Sequence, residues 1–286
     1  MWQSRHVMAS LQAAWPGLEC AIEPFITQGD KTLDRPLPEI GGKGLFTLEL
    51  ENGLRERRID LAVHSLKDLP VDDAPGLTVG AILARVDVRD VLVAKDGQTL
   101  DRLPAGAVVG TSSLRRQAQL LAVRPELVVR SIRGNVDTRI QKALHGEYDA
   151  TLLAGAGVTR LGLNAHITQW LALDVMLPAP GQGALAVQCR ADDEATLGLL
   201  SAIHSDEVAL AVSAERAFLS SLGGGCSIPV AAYATVNGGT IHLTGLVAAV
   251  NGSRIIRVEG SGASALELGA SLAEEAKSQG ALALIG

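Results

Sequence analysis

The feature that most limits what this chain can fold into is the alternation of strand-like and helix-like stretches through its first two thirds. "ECAIEPFI", from Glu19, alternates with period two, "LFTLELENGLRERR" has helical spacing, and "IDLAVHSL" is strand-like again. A second cycle starts near Arg89 with "DVLVAK". It continues through "AVVGTSS" running into "SLRRQAQLLAVR", then "LVVRSI", the helical "VDTRIQKALHG", and "YDATLLAGAG". That β-α-β rhythm predicts parallel sheets in two α/β domains. "LPAPGQGALAVQCR", Leu177 to Arg190, carries the proline and glycine of a crossover before one more strand, so the chain is expected to return there to the first domain.

Beyond the crossover the rhythm changes. "DEVALAVSAERAFLSSL" is a long helical stretch that ends at glycines, which terminate helices well. Three alternating strands follow, separated by Asn237-Gly238-Gly239 and Asn251-Gly252-Ser253, both hairpin signals. A last helix, "SALELGASLAEEAKSQG", can cover one face of that small antiparallel sheet. The expected class is α/β with three domains, the third a small C-terminal α+β unit with a three-stranded antiparallel sheet.

Composition narrows the function. The chain of 286 residues is 47% hydrophobic, enough for more than one packed core. "MWQSRHVMASLQAAWPG" reads as a polar-faced helix rather than a signal peptide, and no run of about 18 apolar residues occurs, so a cytoplasmic protein with no membrane partner is expected. A net charge of −6 and 3% aromatic residues argue against nucleic acid as a partner. Between Thr111 and Lys142, however, seven basic residues face two acidic ones, which points to a compact anion. Cys20, Cys189 and Cys226 form no C-x-x-C pair, so neither a disulfide framework nor a metal site is suggested. Cys226, in "LGGGCSIP", then reads either as a nucleophile or as a point of covalent attachment.

"VVGTSSLRR" places Thr111, Ser112 and Ser113 between a strand and a helix, where backbone N–H groups and hydroxyls can converge on an anion. Arg115 and Arg116 fall in the first helical turn, a poor place for cations unless an anion is present. The plainer alternative is a serine N-cap with solvated arginines. "RSIRGNVDTR" adds Arg130, Arg133 and Arg139 after the next strand, and two such clusters at strand ends favour a phosphate or multi-carboxylate ligand. "VHSLKDLP" puts His64, Ser65, Lys67 and Asp68 at a strand's end. His64 reads as a structural residue and Asp68 as a candidate acid/base or cation-stabilising carboxylate, against the alternative of a surface Lys-Asp pair. "GGKGLF" lacks phosphate-loop spacing, and "GQGALA" lacks the preceding strand of a dinucleotide site, so they read as a glycine hinge carrying Lys43 and a tight turn.

Together "GGKGLF", "VHSLKDLP", "GTSSLRRQ", "RSIRGNVDTR", "GVTRLGL", "LPAPGQGAL" and "GGGCSIP", in this order and spacing, resemble the porphobilinogen deaminase (hydroxymethylbilane synthase) family from about Trp2 to Gly286. The resemblance implies three domains, the first two like the lobes of periplasmic binding proteins with the active cleft between them. Their expected limits are 1–84 with 184–203, then 88–180, then 206–286. It also implies a monomer that condenses four porphobilinogen molecules into hydroxymethylbilane, with loss of four ammonia, on a dipyrromethane primer. By the same resemblance Cys226 carries the primer as a thioether and Asp68 is the catalytic carboxylate. Arg115, Arg116, Arg133, Arg139 and Arg160 hold acetate and propionate groups, while Lys43, Ser65, Lys67, Thr111, Ser112, Ser113, Asn135 and Gln182 make lesser contacts. No metal is implied.

The chemistry fits these residue types. Losing ammonia leaves an electron-poor azafulvene, and a fixed carboxylate can hydrogen-bond pyrrole N–H groups and stabilise positive charge. Every pyrrole brings two carboxylates, which suits bidentate arginine. Two departures stand out: relatives carry a strand with an arginine and a serine before the Trp-Gln pair, here Trp2-Gln3, and Glu39 replaces a basic residue found in some of them. The first reads as a truncation or misassigned start, with sheet edges exposed and primer contacts removed. The competing readings are a non-catalytic two-lobed anion binder and an RNA-binding protein, the latter disfavoured by the acidic total.

Overall fold

The computed structural model describes residues 1–27, 47–224 and 228–285, which fold around three sheets. Lys43, Glu39 and Cys226, with the segments "GGKGLF" and "GCS" (225–227), lie outside the described residues. The first sheet has three strands: β1 (Leu61–Ser65), β2 (Leu77–Ile82) and, between them, β8 (Leu185–Arg190). The crossover therefore does bring the chain back, as its proline and glycine suggested. β8 runs antiparallel to both neighbours, so every pairing in this sheet is antiparallel rather than parallel. Helix α1 (Trp2–Ala14) buries Val7 and Leu11 against Leu185, Val187 and Leu200, while α2 (Leu48–Arg55) covers the sheet near Ala62 and Leu77 through Leu54. The stretch Glu19–Ile26 has a strand's alternation but forms no strand. An alternating pattern needs a neighbour whose backbone can complete the ladder, and among the described residues this segment finds none.

The second sheet has five strands in the order β5 (Val128–Arg130), β4 (Val108–Gly110), β6 (Ala150–Ala154), β3 (Asp90–Ala94) and β7 (Gln169–Trp170). β4 is parallel to β5 and β6, whereas β3 is antiparallel to β6 and β7, a second departure from the all-parallel expectation. Helices α3 (Leu114–Val123), α4 (Val136–Leu144) and α5 (Gly155–Arg160) cover it. α3 delivers Leu120 to one face, and α4 and α5 deliver Ile140 and Val158 to the other. Every residue of β3 is buried, including its first, Asp90.

After α6 (Glu194–Ser201) and α7 (Asp206–Ser221), the meander β9 (Val230–Asn237), β10 (Thr240–Ala248) and β11 (Ile255–Gly262) closes through both expected hairpins. α7 and α8 (Ala265–Ser278) lie on one face of it, with a short α9 (Leu282–Ile285) after them. Phe218 of α7 sits so close to β10 that a Cβ on Gly245 would come within 2.5 Å of its ring, so only glycine lets helix and sheet approach this far. Among the described residues no single helix is long and apolar enough to cross a membrane.

The crossover packs against the linker between the first two sheets. Gly183 has φ +90°, and a Cβ there would lie 2.7 Å from the carbonyl oxygen of Val86. Gly183→Ala is therefore expected to lower stability by about 1–3 kcal/mol, through backbone strain and overpacking, in a denaturation titration. A loss below about 0.5 kcal/mol would show that the linker yields freely.

Candidate active site

Asp68 ends the single 3-10 turn Leu66–Asp68 that follows β1. Leu66 is buried and its N–H donates to the Ala184 carbonyl, while the Leu69 N–H donates back to the Leu66 carbonyl at 3.1 Å. Pro70 then prevents the turn from continuing as helix. This pins the backbone on both sides and leaves the Asp68 carboxylate exposed. Ser65, one turn back, accepts from Gln3 Nε2 at 2.8 Å. His64 is buried on the sheet, and burial pushes its imidazole down, with Gln188 acting the other way. It is neutral at neutral pH, which fits the structural role read from the sequence.

The two arginines of "SSLRR" have their anion inside the protein. Asp90, fully buried, receives Arg115 Nη1 at 2.8 Å on one carboxylate oxygen and Arg116 Nη2 and Nε at 2.8 and 3.1 Å on the other. Arg115 is only 4% exposed and Arg116 6%, so they are not the solvated arginines of the plainer alternative: tertiary packing supplies a counter-charge. Burial by itself would raise Asp90, but the two guanidinium groups outweigh it and hold the carboxyl well below the usual range. Arg115 also donates to the Leu177 carbonyl at 2.6 Å, tying α3 to the start of the crossover. One carboxylate cannot neutralise two guanidinium groups, so a net positive charge remains.

Gln182 joins this pair to the first lobe. Its Nε2 donates to Asp90 Oδ1 at 2.9 Å and to the Val88 carbonyl at 2.7 Å, and its Oε1 accepts from Lys67 Nζ at 3.5 Å. Burial pushes the Lys67 ammonium down, Asp68 and Asp90 raise it, and Arg116 and Arg115 lower it. Arg139, on α4, donates to the Gly134 carbonyl at 2.8 Å. Burial together with the Arg116 and Arg133 charges pushes Arg139 down to about 10, with Asp68 acting the other way. Lys67 and Asp68 from one lobe and Arg116, Arg133 and Arg139 from the other thus share one electrostatic field.

Arg160 lies against the crossover, donating to the Gly183 carbonyl at 3.1 Å, with its guanidinium over the Trp2 ring at 5.7 Å. Its Nε is buried without a hydrogen-bond partner among the described residues. Asn135 is exposed as the N-cap of α4 and makes no side-chain cap bond. The hydroxyls of "TSS" serve the fold: Thr111 accepts from the Ser113 N–H, Ser113 caps Arg116 N, and Ser112 donates to the Ile132 carbonyl at 2.7 Å. Ser113 thus makes the N-cap of the plainer alternative, while the solvated arginines of that alternative are absent. The residue that sequence reasoning passed over is Asp90. Its signal was an acid at the head of the apolar run "DVLVA", a position where a carboxylate must find a partner to be buried.

One exposed carboxylate in the field of several guanidinium and ammonium groups is an arrangement suited to a multiply anionic ligand and to positive charge developing beside it. The profile described as "Porphobilinogen deaminase, dipyromethane cofactor binding domain" matches residues 1–198, and "Porphobilinogen deaminase, C-terminal domain" matches 209–278. A protein named porphobilinogen deaminase from Brevibacillus brevis is 48% identical over 280 residues, covering 98% of this chain and 91% of its own. Among solved structures, the BvgS periplasmic VFT2 domain of Bordetella pertussis is similar with a TM-score of 0.39 and 19% identity, over 72% of this chain and 80% of that one. The amino-acid transporter binding protein ytmK of Bacillus subtilis gives a TM-score of 0.41 and 8% identity, over 70% and 78%. The chain belongs to the porphobilinogen deaminase family.

Proposed function

We propose that the chain condenses four porphobilinogen molecules head to tail into hydroxymethylbilane with release of four ammonia, growing from a dipyrromethane group bound as a thioether to Cys226. Family membership makes it a transferase of tetrapyrrole biosynthesis with a dipyrromethane cofactor, and disfavours the alternative of a non-catalytic anion binder. The reading includes action as a cytoplasmic monomer. It also includes the domain limits 1–84 with 184–203, 88–180 and 206–286, supported by the membership of β1, β2 and β8 in one sheet, β3 to β7 in a second, and β9 to β11 in a third.

The observation that supports the reading is the exposed Asp68 carboxylate sharing an electrostatic field with Arg116, Arg133 and Arg139. The side chains present fit a polycarboxylate pyrrole. Arg139 is crowded by like charges that an anion would relieve, and Arg160 keeps a buried Nε with unused donor capacity. When bound, the dipyrromethane supplies the pyrrole carbon at which substrate is joined. Arg133, Arg139 and Arg160, with Lys67, would bind acetate and propionate groups. Asp68 would accept hydrogen bonds from substrate pyrrole N–H, stabilise the positive charge left as ammonia departs, and hold a transferred proton on a carboxylate oxygen. Arg115 and Arg116 would act with Asp90 as a rigid positive platform, and Gln182 would hold Lys67 in register with it. Ser65, Thr111, Ser112, Ser113, Asn135 and Lys43 belong to this reading as lesser contacts.

Intact mass spectrometry tests the attachment. Protein made in a host that synthesises porphobilinogen is expected to be heavier than its sequence by one dipyrromethane, and Cys226→Ser is expected to remove the increment. An unmodified wild-type mass would sink the reading.

A further inference from the structure

Val208, Val212 and Arg216 follow one another at every fourth position of α7 and so lie on one face. Val212 is buried against Leu66, Leu69, Ala184 and Ala186, with Val208 beside it, so this face of the helix lies on the turn that carries Asp68. Arg216 completes the contact. Its Nη1 donates to the carbonyls of Leu66 and Leu69 at 3.4 and 3.3 Å, and its Nη2 to those of Pro70 and Val71 at 2.5 and 3.0 Å. Four carbonyls from one short loop thus converge on a single guanidinium. The two lobes of that grip, Leu66 on one side and Leu69 to Val71 on the other, bracket Asp68.

Backbone carbonyls pointing together repel one another and would drift apart toward water without a cation between them. A guanidinium suits the task because its planar fork presents several donors in fixed directions, which an ammonium cannot do. The preceding residue does a different job. Glu215, fully buried, pairs with Arg85 through both oxygens at 2.6 and 3.0 Å and accepts from the Gly181 and Ala234 N–H groups. Glu215 thereby fastens α7 to the crossover, while Arg216 shapes the Asp68 loop.

We propose that Arg216 is a positioning residue for the reaction: by holding the carbonyls on both sides of Asp68, it sets where that carboxylate stands relative to bound pyrroles. This rests on the assignment of Asp68 as the catalytic carboxylate. In the sequence Cys226 follows soon after Ser221, the last residue of α7, so one helix would set the place of the carboxylate and precede the anchor in the chain. A displacement of about 1 Å in a catalytic group can cost about 10²-fold in rate, so the effect should appear in kcat.

The experiment uses primer-loaded protein, with loading verified by intact mass, and compares wild type, Arg216→Met, Arg216→Lys, Asp68→Asn and the double variant Asp68→Asn/Arg216→Met. Arg216→Met is expected to carry the dipyrromethane increment, keep its KM for porphobilinogen within about twofold, and lose about 10- to 100-fold in kcat. Arg216→Lys should recover part of that loss. Because Arg216 acts through Asp68, the double variant should be no more than about twofold slower than Asp68→Asn alone. Wild-type kcat in folded Arg216→Met, or losses that multiply in the double variant, would overturn the proposal. If Arg216→Met fails to fold, Arg216→Gln and Arg216→Lys are held to the same kcat criterion. Wild-type turnover in Asp68→Asn would overturn the Asp68 assignment, whereas wild-type turnover in Arg216→Met would overturn only the role given to Arg216.

Discussion

Asp68→Asn is expected to lower kcat by about 10²- to 10⁴-fold, the range for losing a positioned acid/base group that also stabilises developing charge. The substitution keeps the size of the side chain and removes only its negative charge. The carboxylate is exposed at the end of a turn held by Leu66 and Leu69, so stability should change by no more than about 0.5 kcal/mol. The combination of near-native stability and lost turnover separates this residue from a structural acid. Binding of porphobilinogen should survive, because the cationic side chains that would take its carboxylates are untouched. Steady-state kinetics and a denaturation curve on the same preparation check both halves. Turnover within tenfold of wild type would remove Asp68 from the catalytic role.

Asp90 should behave in the opposite way. Asp90→Asn leaves Arg115 and Arg116 buried with two positive charges and no compensating carboxylate, and breaking a buried pair from one side costs about 3–5 kcal/mol. The wild-type pH dependence has a definite sign. The folded-state pKa of Asp90 lies below its ordinary value of 3.8, so its contribution to stability is complete above that value and is lost as pH falls through the folded pKa. Denaturation midpoints measured from neutral pH down into the acid limb should therefore converge for wild type and Asp90→Asn. A neutral-pH difference smaller than about 1 kcal/mol, or one that persists unchanged into strong acid, would mean that the Asp90 charge is not what holds the arginines.

The two aspartates also show where sequence reasoning reaches its limit. The turn that carries Asp68 was legible because its signal is local, a strand followed by a proline stop in "VHSLKDLP", whereas the catalytic role proposed for Asp68 comes from the family resemblance and not from that spacing. The hairpins, the long α7 and the return of the chain through "LPAPGQGAL" were legible for the same reason, since turn residues and periodicity act over a few neighbours. The partnership of Asp90 with Arg115 and Arg116 spans distant segments and arises only when β3 is stacked beneath α3. For the same reason the arginines, which read locally as a cationic patch awaiting a ligand, are almost wholly enclosed. The direction of β8 and β3 was also out of reach, because period-two alternation is the same in parallel and antiparallel strands.

By itself the sequence determined the order of helices and strands, the acidic total with its basic island, and the set of motifs that place the chain in its family. Those properties follow from neighbouring residues, whose dihedral preferences and side-chain spacing act before any long-range contact forms. Only the tertiary structure decided which charges are paired inside the protein. Burial strengthens pairing between charges that are far apart in the chain. Asp90 therefore claims Arg115 and Arg116, Gln182 joins that pair to Lys67, and Asp68 shares an electrostatic field with Arg116, Arg133 and Arg139.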